Sequence, residues 1–344
     1  MGPRDKPEGD GKILARETGM NLDRRGLLIG TAGLAAASAV RAQTVAPPDP
    51  EEIVRLWPGE APGANAVTRA LAPEVPERST DPTFHDRYAR YTTEPLMNVM
   101  RPARPNGAAL LLIPGGGYRW AVVDKEGMDC ARVFAAAGIT CFILRYRLPA
   151  DGWDAGPDAP LQDAQRAMRL IRAEAVSYGV DPGRIAVLGA SAGGHLAGLL
   201  STRINAATYD PTDEADSFTS RPAASILLYP VATMTTPHLH QGSRDHLLGT
   251  DPSPELIAAW SLENLVTADM PPTWLLHAMD DEAVPPENSL MLQAALRAAG
   301  VPHEAHYFQE GGHGFGVRLI QGRPAAVWPD LVLAWGRSNG WLPA

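Results

Sequence analysis

Cysteine is nearly absent: Cys130 and Cys141 are the only two in 344 residues, which excludes a disulfide framework. One falls in a helical pattern and the other in the strand-like run that follows. Burial as free thiols is therefore expected, although an oxidising compartment would let them pair. Basic residues are in the minority, with 30 Lys and Arg against 39 Asp and Glu and a net charge of −9. Such a surface argues against nucleic acid and anionic membranes as partners. No apolar run reaches the ~20 residues that a membrane helix needs. There is no internal repeat, and no large apolar lid of the kind that a lipase acting at lipid interfaces would carry.

The N-terminal 42 residues read as an export signal rather than as part of a core. Asp23-Arg24-Arg25-Gly26-Leu27-Leu28 precedes a short, mildly apolar stretch, 29–40, rich in Gly and Ala. Val40-Arg41-Ala42 then offers small residues before a cleavage point, the pattern of a twin-arginine signal. Met20 would begin a cleaner leader, so residues 1–19 are read as an over-long start. No cysteine follows the leader, so no lipid anchor is expected after cleavage. Removal takes seven basic and five acidic residues and leaves a net charge of −11.

The most informative block is Gly189-Ala190-Ser191-Ala192-Gly193, set between an apolar run, Arg184 to Leu188, and a helical pattern, Gly194 to Leu200. A G-x-S-x-G block between strand and helix is a nucleophile elbow, whose turn is sharp enough to admit only small neighbours and to expose the serine hydroxyl. The helix starting there directs its first amides at an anion beside the serine. An elbow requires an oxyanion-donating loop upstream and an acid and a histidine downstream, in that order. Ala109 to Ile113 reads as a buried strand that runs into Pro114-Gly115-Gly116-Gly117-Tyr118. The loop has neither a G-K-[ST] ending nor a full G-x-G-x-x-G, which weakens a phosphate-binding reading.

The strand Thr273 to His277 leads into Asp280-Asp281-Glu282, just before a helical pattern from Glu287 to Ala299. Asp281 is the first candidate for the acid and Asp280 the second. His313, between glycines after the last strand, Ala305 to Phe308, is the candidate base. A neutral imidazole makes a serine hydroxyl nucleophilic by taking its proton, and a carboxylate fixes the tautomer of the ring. Other histidines have plainer roles. His195 is expected to pack inside and His277 to cap a strand. His238, His240 and His246 sit in a polar stretch with too thin a ligand set for a metal site. No metal or cofactor is expected.

Several of these motifs together resemble a family. Pro114-Gly-Gly-Gly-Tyr118, Asp124-Lys125-Glu126-Gly127, Leu144-Arg-Tyr-Arg-Leu-Pro149, the elbow through Ala197, Pro271-Pro272, Asp281 to Pro285 and Gly311 to Phe315 are similar to those of small bacterial α/β-hydrolase esterases. The acetyl-xylan-esterase-like and feruloyl-esterase-like members, related to the hormone-sensitive-lipase group, match best, over roughly residues 95 to 335. The resemblance implies a triad of Ser191, Asp281 and His313, with Gly116, Gly117 and Ala192 as oxyanion donors. Many relatives have His-Gly-Gly-Gly where this chain has Pro114, so support of the loop must differ. It also implies a serine carboxylesterase acting on acetyl or similar small acyl esters, on xylan or another carbohydrate. A peptidase of the same fold would usually carry a large gating domain, for which this chain has no room. A glycoside hydrolase would need two carboxylates flanking a sugar cleft.

The order of elements leads to the same fold class: α/β, a mostly parallel doubly wound sheet with helices on both faces and small cap insertions. Helical stretches are expected near 125–137, 158–178, 287–299 and 324–338, alternating with apolar strands at 109–113, 139–144, 184–188, 225–229, 273–277 and 305–308. Right-handed crossovers then bring the catalytic loops to one sheet edge. Beyond the leader, residues 43–100 form a Pro-rich segment with one or two edge strands and a flap, and 101–344 the catalytic domain. Residues 205–221 and 235–269 supply further cover, the latter with a short helix near 255–260. Tyr118 and Trp120, with Trp153 and Trp260, are candidates to line the entrance.

Overall fold

A computed structural model describes Gly2 and residues 45–344 of the chain. Apart from Gly2, the proposed export signal lies outside the described residues. Eight strands form one sheet: β1 (Ile53–Arg55), β2 (Leu96–Met100), β3 (Ala109–Ile113), β4 (Thr140–Arg145), β5 (Ile185–Ala190), β6 (Ser225–Leu228), β7 (Thr273–Ala278) and β8 (His303–Phe308). Their spatial order is β1-β2-β4-β3-β5-β6-β7-β8. The strands β3 to β8 are mutually parallel, whereas β1 and β2 pair antiparallel at one side. Both strands contributed by the Pro-rich segment thus belong to this one sheet.

The helices are α1 (Ala66–Arg69), α2 (Asp129–Ala136), α3 (Ala159–Ala173), α4 (Ala192–Thr202), α5 (Gln241–Leu248), α6 (Pro254–Trp260), α7 (Glu287–Ala298) and α8 (Trp328–Ser338). A π turn, Asp124–Met128, leads directly into α2. Alternate residues of each central strand enter two separate cores, as the two-residue side-chain period requires. Leu111, Phe142, Val187, Leu227 and Leu275 pack with α3, α4 and α7 on one face. Leu110, Cys141, Ala186, Ile226 and Trp274 pack with α2 and α8 on the other. Strands covered on both faces must be apolar throughout, which is why β3 reads Ala-Leu-Leu-Leu-Ile with every residue buried. Cys130 and Cys141 are buried free thiols.

The central helix α4 is buried along nearly its whole length, Ala192 to Ser201, so it shows no polar stripe. It can approach β3 closely because a Cβ on Gly193 would lie 2.1 Å from the Ile113 carbonyl oxygen. Beyond the N-terminal strand pair, isolated bridges Glu74–Arg90 and Glu77–Arg87 pair the two ends of residues 74–90, and Ala89–Ala121 ties this stretch to the segment after the glycine loop. Among the described residues, no helix is long and apolar enough to cross a membrane.

Candidate active site

Ser191 sits between β5 and α4 with φ 55° and ψ −122°, a left-handed backbone conformation that costs a non-glycine residue about 1–3 kcal/mol. The turn is held on both sides. The Ser191 amide donates to the Leu228 carbonyl at 3.0 Å, and the Ser191 carbonyl accepts from the Val231 amide at 3.0 Å. Gly189 and Gly193 flank it because a Cβ on Gly189 would stand 2.2 Å from the Gly193 carbonyl oxygen.

His313 Nε2 lies 2.8 Å from Ser191 Oγ, and its Nδ1 lies 2.7 Å from Asp281 Oδ2. An ionised carboxylate only accepts, so Nδ1 carries the ring proton and Nε2 is left to accept from the serine hydroxyl. Asp281 is almost wholly buried. Burial alone would raise its pKa. Hydrogen bonds from His277 and His313, the charge of His313 and the Val284 amide outweigh that, holding the carboxyl well below the usual carboxylate range. Its Oδ1 accepts from the amides of Ala283 and Val284 at 3.0 and 2.9 Å. Asp280, the second candidate, points elsewhere: its Oδ1 accepts from the amides of Gly311 and Gly312 at 2.9 and 2.8 Å and shapes the loop carrying His313.

His277 was expected to cap a strand, and the structure corrects this. It lies within β7, fully buried, with Nε2 3.0 Å from the Val284 carbonyl and 3.3 Å from Asp281 Oδ2. A carbonyl accepts only, so Nε2–H is the donor and is shared with Asp281, while Nδ1 accepts from Ser289 Oγ at 2.7 Å.

The glycine loop lies directly over the elbow. The Gly115 amide donates to Glu126 Oε2 at 2.8 Å, which leaves Gly116 and Gly117 as the loop's free candidates; both line the cavity beside Ser191. Gly116 has φ 129°, and a Cβ there would meet the Trp120 carbonyl oxygen at 2.3 Å. Ala192 is the first residue of α4, with its amide at the helix N-terminus. The Pro114 carbonyl accepts from Tyr146 Oη at 2.8 Å. Loop support here comes from Tyr146 and Glu126.

A cavity of about 370 Å³ opens onto Ser191 and His313, lined also by Arg78, Trp120, Lys125, Glu126, His240 and His246. Trp120 therefore stands where an entrance residue should. Tyr118 does not. Its backbone, at φ 56°, turns the ring into the core, where Oη donates to His195 Nδ1 at 2.7 Å. Trp260 is also buried, and its carbonyl accepts from His195 Nε2 at 2.7 Å. Held between these partners, His195 is packed inside as expected, and burial pushes its pKa down to about 4. Trp153 lines a larger cavity of about 580 Å³ with Trp57, Arg55 and Glu94, none of which lines the cavity at Ser191.

His240 and His246, which the sequence presents only as part of a thin ligand set, both line the cavity. The Ser243 amide donates to His240 Nδ1 at 3.1 Å, so the ring caps α5 and its neutral form carries the proton on Nε2. Burial, and then the charge of His313, push the His240 pKa down. The spacing His240-x-x-Ser243 was the available signal for such a cap.

The BD-FAE family model matches residues 97–296. An endo-1,4-beta-xylanase B from Butyrivibrio fibrisolvens is 35% identical over 208 residues, 60% of this chain and 32% of that protein. An acetylxylan esterase from Xylanibacter ruminicola is 32% identical over 219 residues, 62% of this chain and 42% of that protein. The chain thus spans less than half the length of these curated relatives. Among solved structures, an acetyl ester-xyloside bifunctional hydrolase from Caldicellulosiruptor lactoaceticus aligns with a TM-score of 0.67 and 31% identity, covering 86% of this chain and 98% of that one.

Proposed function

Because the chain belongs to the BD-FAE family of α/β hydrolases, we propose that it is a serine carboxylesterase that removes acetyl and similar small acyl groups from carbohydrate esters such as acetylated xylan. The observation that carries this is the continuous hydrogen-bonded series from Ser191 Oγ through His313 to Asp281. Two similar proteins, the acetylxylan esterase and the bifunctional acetyl ester-xyloside hydrolase, bear names that support the substrate class.

In the reaction, Ser191 Oγ attacks the ester carbonyl while His313 Nε2 takes its proton. Asp281 stabilises the imidazolium that forms. Amides of Gly116, Gly117 and Ala192 hold the oxyanion, each such donor contributing about 3–4 kcal/mol to the transition state. His313 then protonates the departing alcohol. The acyl-serine is hydrolysed by water that gives its proton to the same imidazole. A glycosidase would require two carboxylates across the cleft. Among the described cavity residues only Glu126 is acidic, and it is engaged by the Gly115 amide.

The reading extends to chain organisation: a twin-arginine leader over 1–42 that directs export and is then cleaved, an N-terminal segment over 43–100 and a catalytic domain over 101–344. The paired Arg24 and Arg25 with the Gly- and Ala-rich stretch support export. Initial rates on p-nitrophenyl acetate and acetylated xylo-oligosaccharide, for wild type and Ser191→Ala, test the activity. Acetate release abolished by the substitution supports it; equal rates, or reducing-sugar release from deacetylated xylan instead, would end it.

A further inference from the structure

On the esterase reading above, we infer that the preferred substrate carries a carboxylate near the cleaved ester, making it an acylated acidic saccharide bearing a uronic acid. The cavity beside Ser191 is bounded by three cations, Arg78, Arg119 and Lys125, together with the imidazoles of His240 and His246. The whole chain carries −9, so this concentration of positive charge departs from the composition rather than following it.

The cavity holds almost no compensating charge. Its one carboxylate among the described residues, Glu126, is 3% exposed and accepts from the Gly115 amide and Tyr229 Oη. Among the described residues, no carboxylate oxygen lies within 4.0 Å of the side-chain nitrogens of Lys125 or Arg119. Arg78 pairs with Asp86 at 2.9 Å, so the excess positive charge rests on Lys125 and Arg119. Lys125 Nζ lies next to the histidine loop, 3.2 Å from where a Cβ on Gly314 would stand. The Arg119 guanidinium rests over the Trp120 ring at 4.8 Å, a stacked arrangement that leaves its N–H edge free for an oxygen anion.

A neutral acetyl ester has no charge to set against these groups. An aldopyranose ring bearing a carboxylate does, and a cleft lined by one sign of charge raises the local concentration of such a substrate as well as its affinity. The cations surround the cavity that holds the nucleophile, so the carboxylate belongs on the sugar carrying the ester or on the one next to it.

The experiment compares two acetylated xylo-oligosaccharides that differ only in a glucuronic acid substituent, using the full chain. It reads the ratio of their kcat/KM values at low salt and at about 0.5 M NaCl, where charges are screened beyond a few ångströms. The expected ratio favours the acidic ester by about tenfold at low salt, drops several-fold at high salt, and approaches one in the Lys125→Met, Arg119→Gln double variant. A wild-type ratio at or below one overturns the inference, as does a ratio that neither salt nor the double variant moves. Turnover of the neutral ester alone overturns this inference and leaves the esterase reading intact. Failure to cleave either ester or p-nitrophenyl acetate overturns both.

Discussion

The Glu126 carboxylate accepts the Gly115 amide through Oε2 at 2.8 Å, while Oε1 accepts from Tyr229 Oη at 3.2 Å. Tyr229 Oη in turn accepts the Gly316 amide at 3.0 Å. One buried carboxylate thereby joins the glycine loop above the serine to the loop that carries His313. In Glu126→Gln an amide N–H₂ replaces one of the two accepting oxygens, so either the Gly115 amide or the Tyr229 hydroxyl loses its acceptor and the tie between the loops weakens. A displacement of about 1 Å costs on the order of 10–100-fold in kcat. We expect kcat to fall by that amount with KM little changed, and Glu126→Asp to recover part of the loss. A loss that matches a fall in the folded fraction measured by circular dichroism, with no recovery in Glu126→Asp, would point to general unfolding instead.

Asp281 and Asp280 are adjacent in sequence and differ in what they hold. Asp281→Asn should lower kcat by roughly 10⁴-fold, because an amide no longer enforces the Nδ1–H tautomer of His313. Asp280→Ala, which frees only the Gly311 and Gly312 amides, should cost less than about tenfold. Steady-state kinetics of the two variants on one ester decide which carboxylate serves the histidine.

His195 makes stability depend on pH. Its ordinary pKa of 6.5 applies to the unfolded chain, and burial lowers the folded value to about 4. Between these values the unfolded state binds a proton that the folded state refuses. The stabilisation is therefore complete above pH 6.5 and is lost as pH falls from 6.5 towards 4. The full difference is on the order of 3 kcal/mol. Urea unfolding at pH 7 and pH 4.5 should show a clearly smaller stability difference for His195→Gln than for wild type.

The ion pair of Arg147 and Asp163 is fully buried at 2.8 Å, with Trp57 Nε1 donating to the same carboxylate at 2.8 Å. Removing one partner strands the other charge in the core. Arg147→Met should lower unfolding free energy by about 3–5 kcal/mol, measurable as a shift in the urea midpoint. A change under about 1 kcal/mol would mean that water reaches Asp163.

Much of the site was legible because its parts are tied to backbone geometry that leaves a sequence trace. Ser191 lies in a turn that only small neighbours permit, and His313 lies between glycines on the loop after the last strand. The strands were legible because burial on both faces demands unbroken apolar runs. Side-chain direction in loops was not. Tyr118 follows three glycines like an entrance residue, yet its left-handed backbone turns it inward to His195. Glu126 stood within a recognised motif without a role, since its partners, Gly115 and Tyr229, are 11 and 103 residues away. His240 reaches the cavity through a capping contact to Ser243, whose only trace in the chain is the spacing His240-x-x-Ser243.

The most direct measurement is intact-mass and peptide analysis after treatment with a fluorophosphonate, which phosphonylates an activated serine. We expect a single adduct on the peptide containing Ser191, formed in step with loss of esterase activity and absent from Ser191→Ala. An unlabelled Ser191 in enzyme whose ester turnover has been blocked, or undiminished turnover in Ser191→Ala, would contradict the assignment of that hydroxyl as the nucleophile.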